Sequence, residues 1–535
     1  MTTHLPATIN REASAPGTLL VAGIVLAALT EAIASTVLSL GRGDIIGDIY
    51  ATPDEFAWLD VGYTAFKLIG FMVAASMLNR IRPLSLIIGS TLIMGLASGM
   101  ASAMASATTS LNLLIALRVI QGLAGGVLLV AGQTTIFFAF RSAHQPILQA
   151  LFAMGAVVAP ATLAPALQGW LLDSQSWTWI FYCNVILSLG AAGLLLMVEA
   201  PAPTTTRQRP VDWVGLSLIS VALFCFSYVF SQGSRWDWFE EPRILWLSVA
   251  GVASMFLFLG QQVLRKGTGL LDFTLFRSDD FAFAFIVSFV AGAALFGSAF
   301  LIPSFAVSVL AFTPTDAGLL LLPSGALFVG ALILAAFLMQ VRRLPPFATV
   351  PFGILLIMLA MWMLSGSTSE SGAADMMAAI LLRGLGLGFL FLSITLIAFT
   401  NLDKRNLASG IGLFNTGRQL GGLVGVAGLQ TLIDHNVAAN VAVLGASVNA
   451  GGQAVIERLA ATTAMLAARG MDAVPASRAA MALLGRTVAG QSIVIAFDTA
   501  FNAVALLFVV AAPMLVAIKV GLARRAKARQ THADR

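Results

Sequence analysis

The chain has 535 residues, of which 58% are hydrophobic and only 10% charged. Water-soluble domains carry roughly 25% charged residues, so this composition excludes a soluble globular protein and implies an all-α, multi-pass membrane protein. The formal charge of +5 gives no reason to expect nucleic acid, because the basic residues fall in short loops and the tail, where they set topology. Cys183 and Cys225, the two cysteines, both lie inside apolar runs, which argues against a disulfide framework.

Fourteen apolar runs are long enough to span a bilayer. They cover about 18–41, 55–79, 84–105, 111–140, 146–172, 178–199, 212–233, 243–264, 280–311, 315–340, 346–365, 374–400, 407–434 and 490–520. The first is too long for a signal-peptide core and no clear cleavage site follows, so it reads as an uncleaved span. Basic residues alternate between loops. Arg80 and Arg82, Arg141, Arg207 and Arg209, Arg265, Lys266 and Arg277, Arg342 and Arg343, and Lys404 and Arg405 share one side with the tail (Lys519, Arg524, Arg525, Lys527, Arg529). The positive-inside rule places that side, and both termini, in the cytoplasm.

The expected organisation is an N-terminal six-helix bundle (1–200), a linker with two inserted spans (201–270), and a C-terminal six-helix bundle (271–535). The linker proper is the polar stretch 201–212, and an amphipathic cytoplasmic segment follows the inserted pair at 265–280. The C-terminal bundle carries a periplasmic loop at 435–489 and the basic tail. The loop is Ala-rich, with helical stretches near 455–468 and 476–484. It reads as a short amphipathic cap over the outer face, or else as a docking site for a periplasmic partner.

Charges inside the spans are few, and intramembrane ionisable groups are functional candidates by default. The cations are Lys67, Arg118, Arg383 and Arg418; the anions are Glu31, Asp60 and Asp498. At ~1.5 Å rise per residue, Glu31 and Lys67 both reach the midplane, about 20 Å and about 18 Å from their span ends. An ion pair between them is geometrically allowed. Asp60 lies on the helical face of Lys67, nearer the outside, at about the depth of Arg118. Glu31, Asp60, Lys67 and Arg118 are therefore expected to form a polar network in the first bundle, with Glu31 as the proton carrier because Arg118 cannot change charge. A static network that only fixes packing is the competing reading. Arg383, Arg418 and Asp498 are substrate-cavity candidates, and Asp498 also reads as a simple partner for an arginine.

Beside Arg118, Gly122, Gly125 and Gly126 offer a face on which another helix can pack closely. The second bundle echoes the first: Arg118 sits in LRVIQGLAGG and Arg383 in LRGLGLGFL, as a duplicated transporter fold should show. His4, His144, His435 and His532 fall at termini or loops, so no embedded metal or acid–base histidine site is expected. That also counts against an embedded acyl-transfer enzyme. No Gly-x4-Gly-Lys-Ser/Thr loop is present, so the energy source is an ion gradient or the substrate's own. No cofactor is expected.

Leu114, Arg118, Gln121 and Gly122 resemble the fourth-helix motif of the major facilitator superfamily. The fifth span, with Pro160, Pro165 and Gly169, resembles its antiporter motif, and WTWIFYCN (177–184), FNTGRQLGG and FDTAF resemble its fourteen-helix drug:proton antiporters. The resemblance implies the major facilitator fold with two inserted helices, in the inner membrane. It implies proton-coupled efflux of lipophilic small molecules by alternating access, with Arg118 linked to proton coupling and Glu31 as the first-helix acid. It also implies a periplasmic adaptor as a partner class. Uptake symport, or export of one organic anion or siderophore-like metabolite, stays open. Two departures stand out. Ala164 and Gln168 replace glycines of the antiporter motif, which predicts looser packing there. Asn79-Arg80-Ile81-Arg82-Pro83 lacks the acid of the usual cytoplasmic charge lock.

Overall fold

The computed structural model describes residues 15–36, 38, 42–107, 110–198, 212–265, 270, 273–448 and 452–533. Among them there is no strand. The first bundle comprises α1 (Ala15–Thr36), α2 (Pro53–Leu78), α3 (Pro83–Ala107), α4 (Leu111–Ala139), α5 and α6 (Thr178–Leu196). Here α5 is the rod formed by Gln145–Ala153, Met154–Leu163 and Ala164–Ser174. The inserted pair is α7 (Trp213–Gln232) and α8 (Pro242–Leu264). The second bundle comprises α9 (Asp279–Ser308), α10 (Pro314–Leu319 with Leu322–Gln340), α11 (Val350–Leu364), α12 (Ala373–Phe399), α13 (Leu407–Ser447) and α14 (Ala473–Ala533).

Thirteen of these stretches, among the described residues, are long and apolar enough to cross a bilayer. The expected span 407–434 lies on α13, where Asn415, Thr416, Arg418 and Gln419 make the helix more polar. Helix starts follow local chemistry. Thr52 and Glu55 form a capping box at α2: Thr52 N–H donates to Glu55 Oε2 at 2.8 Å, and Glu55 N–H to Thr52 Oγ1 at 3.3 Å. Ser278 caps α9 and Thr313 caps α10, each accepting a backbone N–H. Asp212 caps α7 and also ties it to α8. Burial alone would raise its carboxyl, but the Gly215 amide, Gln262, Gln261 and Arg265 together hold it below the ordinary carboxylate range.

Small residues set the tightest pairing. A Cβ on Gly122 would strike the carbonyl of Tyr63, and one on Gly126 the carbonyl of Lys67, so α4 lies directly on the backbone of α2. The same device closes α9 on α13, where Gly421 faces the Phe289 carbonyl. The two bundles meet along symmetric seams: the second helix of each packs on the fifth of the other, α2 on α13 and α10 on α5. At the α5–α10 seam, Gly169 faces the Pro314 carbonyl and Gly318 the Pro165 carbonyl. The inserted pair lies against α2 and α13 through α7. α8 turns large apolar side chains such as Trp246 and Phe256 outward, as a lipid-facing helix should.

The structure corrects several expectations. The region 435–489 carries the helices expected near 455–468 and 476–484, but it is more helical than a loop with a short cap. α13 continues to Ser447, Gln453–Ala468 forms its own helix, and α14 already begins at Ala473. The stretch is Ala-rich and without internal proline before Pro475; alanine is the best helix former, so polarity there ended the apolar run without ending the helix. The 41 residues of α13 correspond to ~60 Å, about twice the hydrocarbon thickness. α1 stops at Thr36, short of 41, and a short helix Arg42–Asp48 follows. The fifth span is a π-helix over Met154–Leu163, with Pro160 inside it. Proline offers no N–H to an α-helical ladder, and a π-bulge is one way to absorb that loss. Packing around Ala164 and Gln168 is not loose: both are fully buried, and Gln168 Nε2 donates to Thr36 Oγ1 at 2.8 Å and to the Ile33 carbonyl at 3.3 Å. The linker 201–211, residues 266–269 and 271–272, and the side chains of the basic tail lie outside the described residues.

The α2–α4 contact is testable by pairing two substitutions. Gly126→Ala drives a methyl into the α2 backbone and is expected to destabilise by about 1–3 kcal/mol. Gly89→Ala has open space around it and is expected to be neutral or slightly stabilising. Thermal melting of the detergent-solubilised protein separates the two.

Candidate functional site

Glu31 lies in the last turns of α1 and is completely buried. Its Oε1 is 2.5 Å from Lys67 Nζ on α2, and the two side chains are 1% and 9% exposed. Tyr63 stands one turn before Lys67, on the same face of α2, and its hydroxyl donates to the same carboxylate oxygen at 3.0 Å. The second oxygen, Oε2, is buried without a partner. A buried carboxylate is tolerable only beside a cation and a hydrogen-bond donor; here α2 supplies both.

Arg118 reaches the site indirectly. Its guanidinium lies 4.1 Å from the centre of the Tyr63 ring, a cation–π contact in a desolvated setting. Nη1 donates to the Ala34 carbonyl at 2.8 Å and to Gln121 Oε1 at 3.1 Å. Ala34 lies in the last turn of α1, where a helix C-terminus favours a cation. Arg118 and Gln168 thus share the end of α1. Behind them, Gln121 and Asn184 both donate to Ser98 Oγ, at 3.0 and 2.9 Å. Arg118 Nε and Nη2 are buried without partners.

Asp60 stands apart from this cluster. It is exposed, forms no ion pair with Arg118, and interacts electrostatically with Arg118 and Arg42 at longer range. Of the four residues expected to form one network, the structure brings Glu31 and Lys67 into direct contact, sets Arg118 one ring away, and leaves Asp60 solvent-accessible but within electrostatic reach of Arg118 and Arg42.

In the second bundle, Arg383 is fully buried among three helices. Nε donates to Ser298 Oγ on α9 at 2.7 Å and Nη1 to Ser324 Oγ on α10 at 3.5 Å, while Nη2 has no partner. Arg418 is half-buried, donates to Asn415 Oδ1 at 2.6 Å, and lies 5.7 Å from the Phe391 ring centre. It also falls within electrostatic reach of Glu31 across the bundle boundary. Among the described residues Asp498 is not paired with an arginine; its Oδ1 is buried and unpartnered. Gly125 sits against the Glu31 side chain, so the glycine face both admits α2 and leaves room for the carboxyl.

Sequence reasoning did not find Tyr63, although it is one of only 4 tyrosines and sits four residues before an embedded lysine. Gln121, Ser98 and Asn184 were likewise missed, because neutral polar side chains are common in membrane helices and their convergence needs the fold.

Helix-only construction, two bundles meeting along symmetric seams, and ionisable groups held at the centre define a polytopic membrane transporter. The family model described as Major Facilitator Superfamily matches residues 20–426, and the chain belongs to that family. It is 26% identical over 427 residues to the multidrug export protein EmrB of Escherichia coli K12, covering 79% of this chain and 81% of that one. It is 25% identical over 413 residues to the colistin resistance protein EmrB of Acinetobacter baumannii, covering 75% and 78%. With the fatty acid resistance protein FarB of Neisseria gonorrhoeae it shares 23% identity over 495 residues, 92% and 94% of the two chains. Among solved structures, a bacterial homologue of the human lysosomal transporter Spinster, inward-facing and unoccupied, superposes with a TM-score of 0.56 at 12% identity over 96% of this chain and 99% of that one.

Lys67→Met leaves Glu31 buried without its cation and is expected to cost about 3–5 kcal/mol. Adding Glu31→Gln removes the orphaned charge and is expected to recover most of that loss. Unfolding of the three variants in detergent, read as a double-mutant cycle, measures the coupling.

Proposed function

We propose that this protein is a proton-coupled efflux antiporter that exports lipophilic or amphiphilic small molecules across the cytoplasmic membrane, with both termini in the cytoplasm. It acts as a transporter rather than an enzyme. The observation that carries the reading is the enclosed Glu31 carboxylate, held by Lys67 and Tyr63 at the heart of the first bundle. The names of the relatives, multidrug export and resistance proteins, support export as the direction.

The physical logic is a competition for one oxygen. With Glu31 ionised, Lys67 and Tyr63 are drawn to Oε1. A proton on Glu31 cancels the ion pair, frees Lys67, and changes which bundle arrangement is the more stable. Alternating access then follows if residues 1–200 and 271–535 rock about the α2–α13 and α5–α10 seams, carrying Glu31 between the two aqueous sides. Arg118 holds its charge throughout. It fixes the end of α1 and the Tyr63 ring, and so keeps the carboxyl aimed at α2.

The charge balance favours neutral or anionic cargo. Four cations, Lys67, Arg118, Arg383 and Arg418, lie within the spans against three acids, Glu31, Asp60 and Asp498, and neither Arg383 nor Arg418 forms an ion pair among the described residues. The helical extension formed by the end of α13, Gln453–Ala468 and the start of α14 is the surface for a periplasmic adaptor.

In everted vesicles energised by respiration, adding a transported compound should dissipate part of the pH gradient. Screening a panel of neutral, anionic and cationic lipophilic dyes identifies the cargo. Glu31→Gln is expected to abolish pH-driven transport while preserving insertion. Full pH-driven transport in that variant would remove Glu31 as the proton site.

A further inference from the structure

Five polar side chains form one directed row from the centre to the face that carries the Arg80, Arg141 and Arg342 loops. Arg418 Nη2 donates to Asn415 Oδ1 at 2.6 Å, and Asn415 Nδ2 donates to Gln133 Oε1 at 3.3 Å. Gln133 Nε2 then donates to Gln149 Oε1 at 3.1 Å, and Gln149 Nε2 to Gln145 Oε1 at 3.3 Å. Gln145 Nε2 ends the row on the Phe140 and Ile136 carbonyls, at 3.1 and 3.2 Å. Those carbonyls belong to the C-terminal end of α4, where helical acceptors are left over. The four amides are each no more than 5% exposed.

The row crosses the bundle boundary once, at Asn415–Gln133, from α13 to α4. Around that crossing the helices touch closely. A Cβ on Gly412 would strike the Phe71 carbonyl, and Thr416 Oγ1 lies 3.6 Å from Met72 Sδ. On the basic side of the crossing, Phe137 of the first bundle meets Phe399 of the second with ring centres 5.7 Å apart, and Phe399 meets Phe414 at 5.0 Å. The seam is therefore sealed by an amide row backed by an aromatic layer.

We propose that this row, with the Phe137–Phe399–Phe414 layer, is the gate that closes the transport path on the basic face, and that Gln133 and Asn415 are its positioning residues. The inference rests on the transporter reading above and goes beyond it by locating a closure. The choice of amides has a physical rationale. Each can donate and accept at once, so a row of them satisfies itself without water and without charge. Neutral bonds of this kind are individually weak, so the seal can part and re-form, whereas a buried ion pair across the seam would be costly to break. Amides neither gain nor lose protons near neutral pH, so beyond Arg418 the four amides of the closed row carry no charge toward the basic face.

The test uses accessibility rather than transport. In full-length protein with Cys183 and Cys225 replaced by serine, Thr416→Cys places a buried reporter beside the crossing. Everted vesicles present the basic face to a membrane-impermeant methanethiosulfonate. Gln133→Ala removes the row's one bond across the boundary, since Asn415 keeps only its bonds within α13 to Ile411 and Arg418, takes the donor from Gln149 Oε1, and opens space for water; labelling is expected to accelerate about tenfold, as the loss of one or two such bonds shifts a two-state equilibrium. The exchange Gln133→Asn with Asn415→Gln keeps an amide pair of the same total length and is expected to return labelling to within about twofold of the parent, the size of a few tenths of a kcal/mol. An unchanged rate in folded Gln133→Ala, or equal acceleration in the reciprocal pair, overturns the gate. Should Gln133→Ala fail to assemble, Asn415→Ala tests the same crossing. Labelling needs neither a proton gradient nor cargo. Transport surviving Glu31→Gln would thus remove the proton reading and leave the gate standing, and the reverse holds equally.

Discussion

A carboxylate and an ammonium group removed from water lose far more hydration than their attraction alone returns, so they persist in a bilayer only where the surrounding helices hold them rigidly. The Glu31–Lys67 pair sets that demand, and much of the first bundle answers it. α4 lies on the backbone of α2 because Gly122 and Gly126 leave no side chain between them. That approach brings the Arg118 guanidinium over the Tyr63 ring and aligns the Tyr63 hydroxyl with the carboxylate. In the last turns of α1 the Ala34 and Ile33 carbonyls accept from Arg118 and Gln168, which fixes the helix carrying Glu31. Remove any one of these and the pair loses a support that solvent cannot replace.

The two bundles are joined differently on their two sides. Toward the basic face the joint is neutral, amide against amide and ring against ring. On the opposite side it is partly charged and partly supplied by the inserted pair. The turn between α7 and α8 reaches both bundles: Arg235 pairs with Asp54 at the start of α2 at 2.9 Å, Ser234 donates to Asp434 at 2.9 Å, and Trp238 Nε1 donates to Thr431 at 3.0 Å on α13. Asp237 and Trp238 adopt left-handed backbone conformations there, with φ of 47° and 57°, which L-residues hold only when neighbours impose it. The inserted helices are thus more than a spacer in sequence; their turn lies across the boundary. Between the two joints, the Glu31 side chain has almost no solvent contact.

Much of this was legible in the sequence because a bilayer imposes blunt rules. Apolar length located the spans, and rise per residue put Glu31 and Lys67 at one depth. Depth was insufficient for Asp60, which feels the charge of Arg118 without pairing with it; azimuth around a helix bundle depends on neighbours that a hydropathy pattern does not name. Within 435–489 the alanine-rich stretches near 455–468 and 476–484 announced helices; what polarity concealed was that the helix of 407–434 runs on to Ser447 and that the last helix begins at Ala473. Gln168 looked like a defect in a glycine motif and is instead a buried tie to α1. Gln133 and Asn415 are 282 positions apart, and nothing local in either marks it as the other's partner.

Proton release on ligand binding tests the central claim most directly. Purified protein in weakly buffered detergent, with a pH-indicating dye, is mixed with the compound that the transport panel identifies. Wild-type protein poised with Glu31 protonated should discharge a proton as the compound binds, and Glu31→Gln should bind the compound and discharge none. Equal release from both would place the exchanged proton elsewhere and contradict the account.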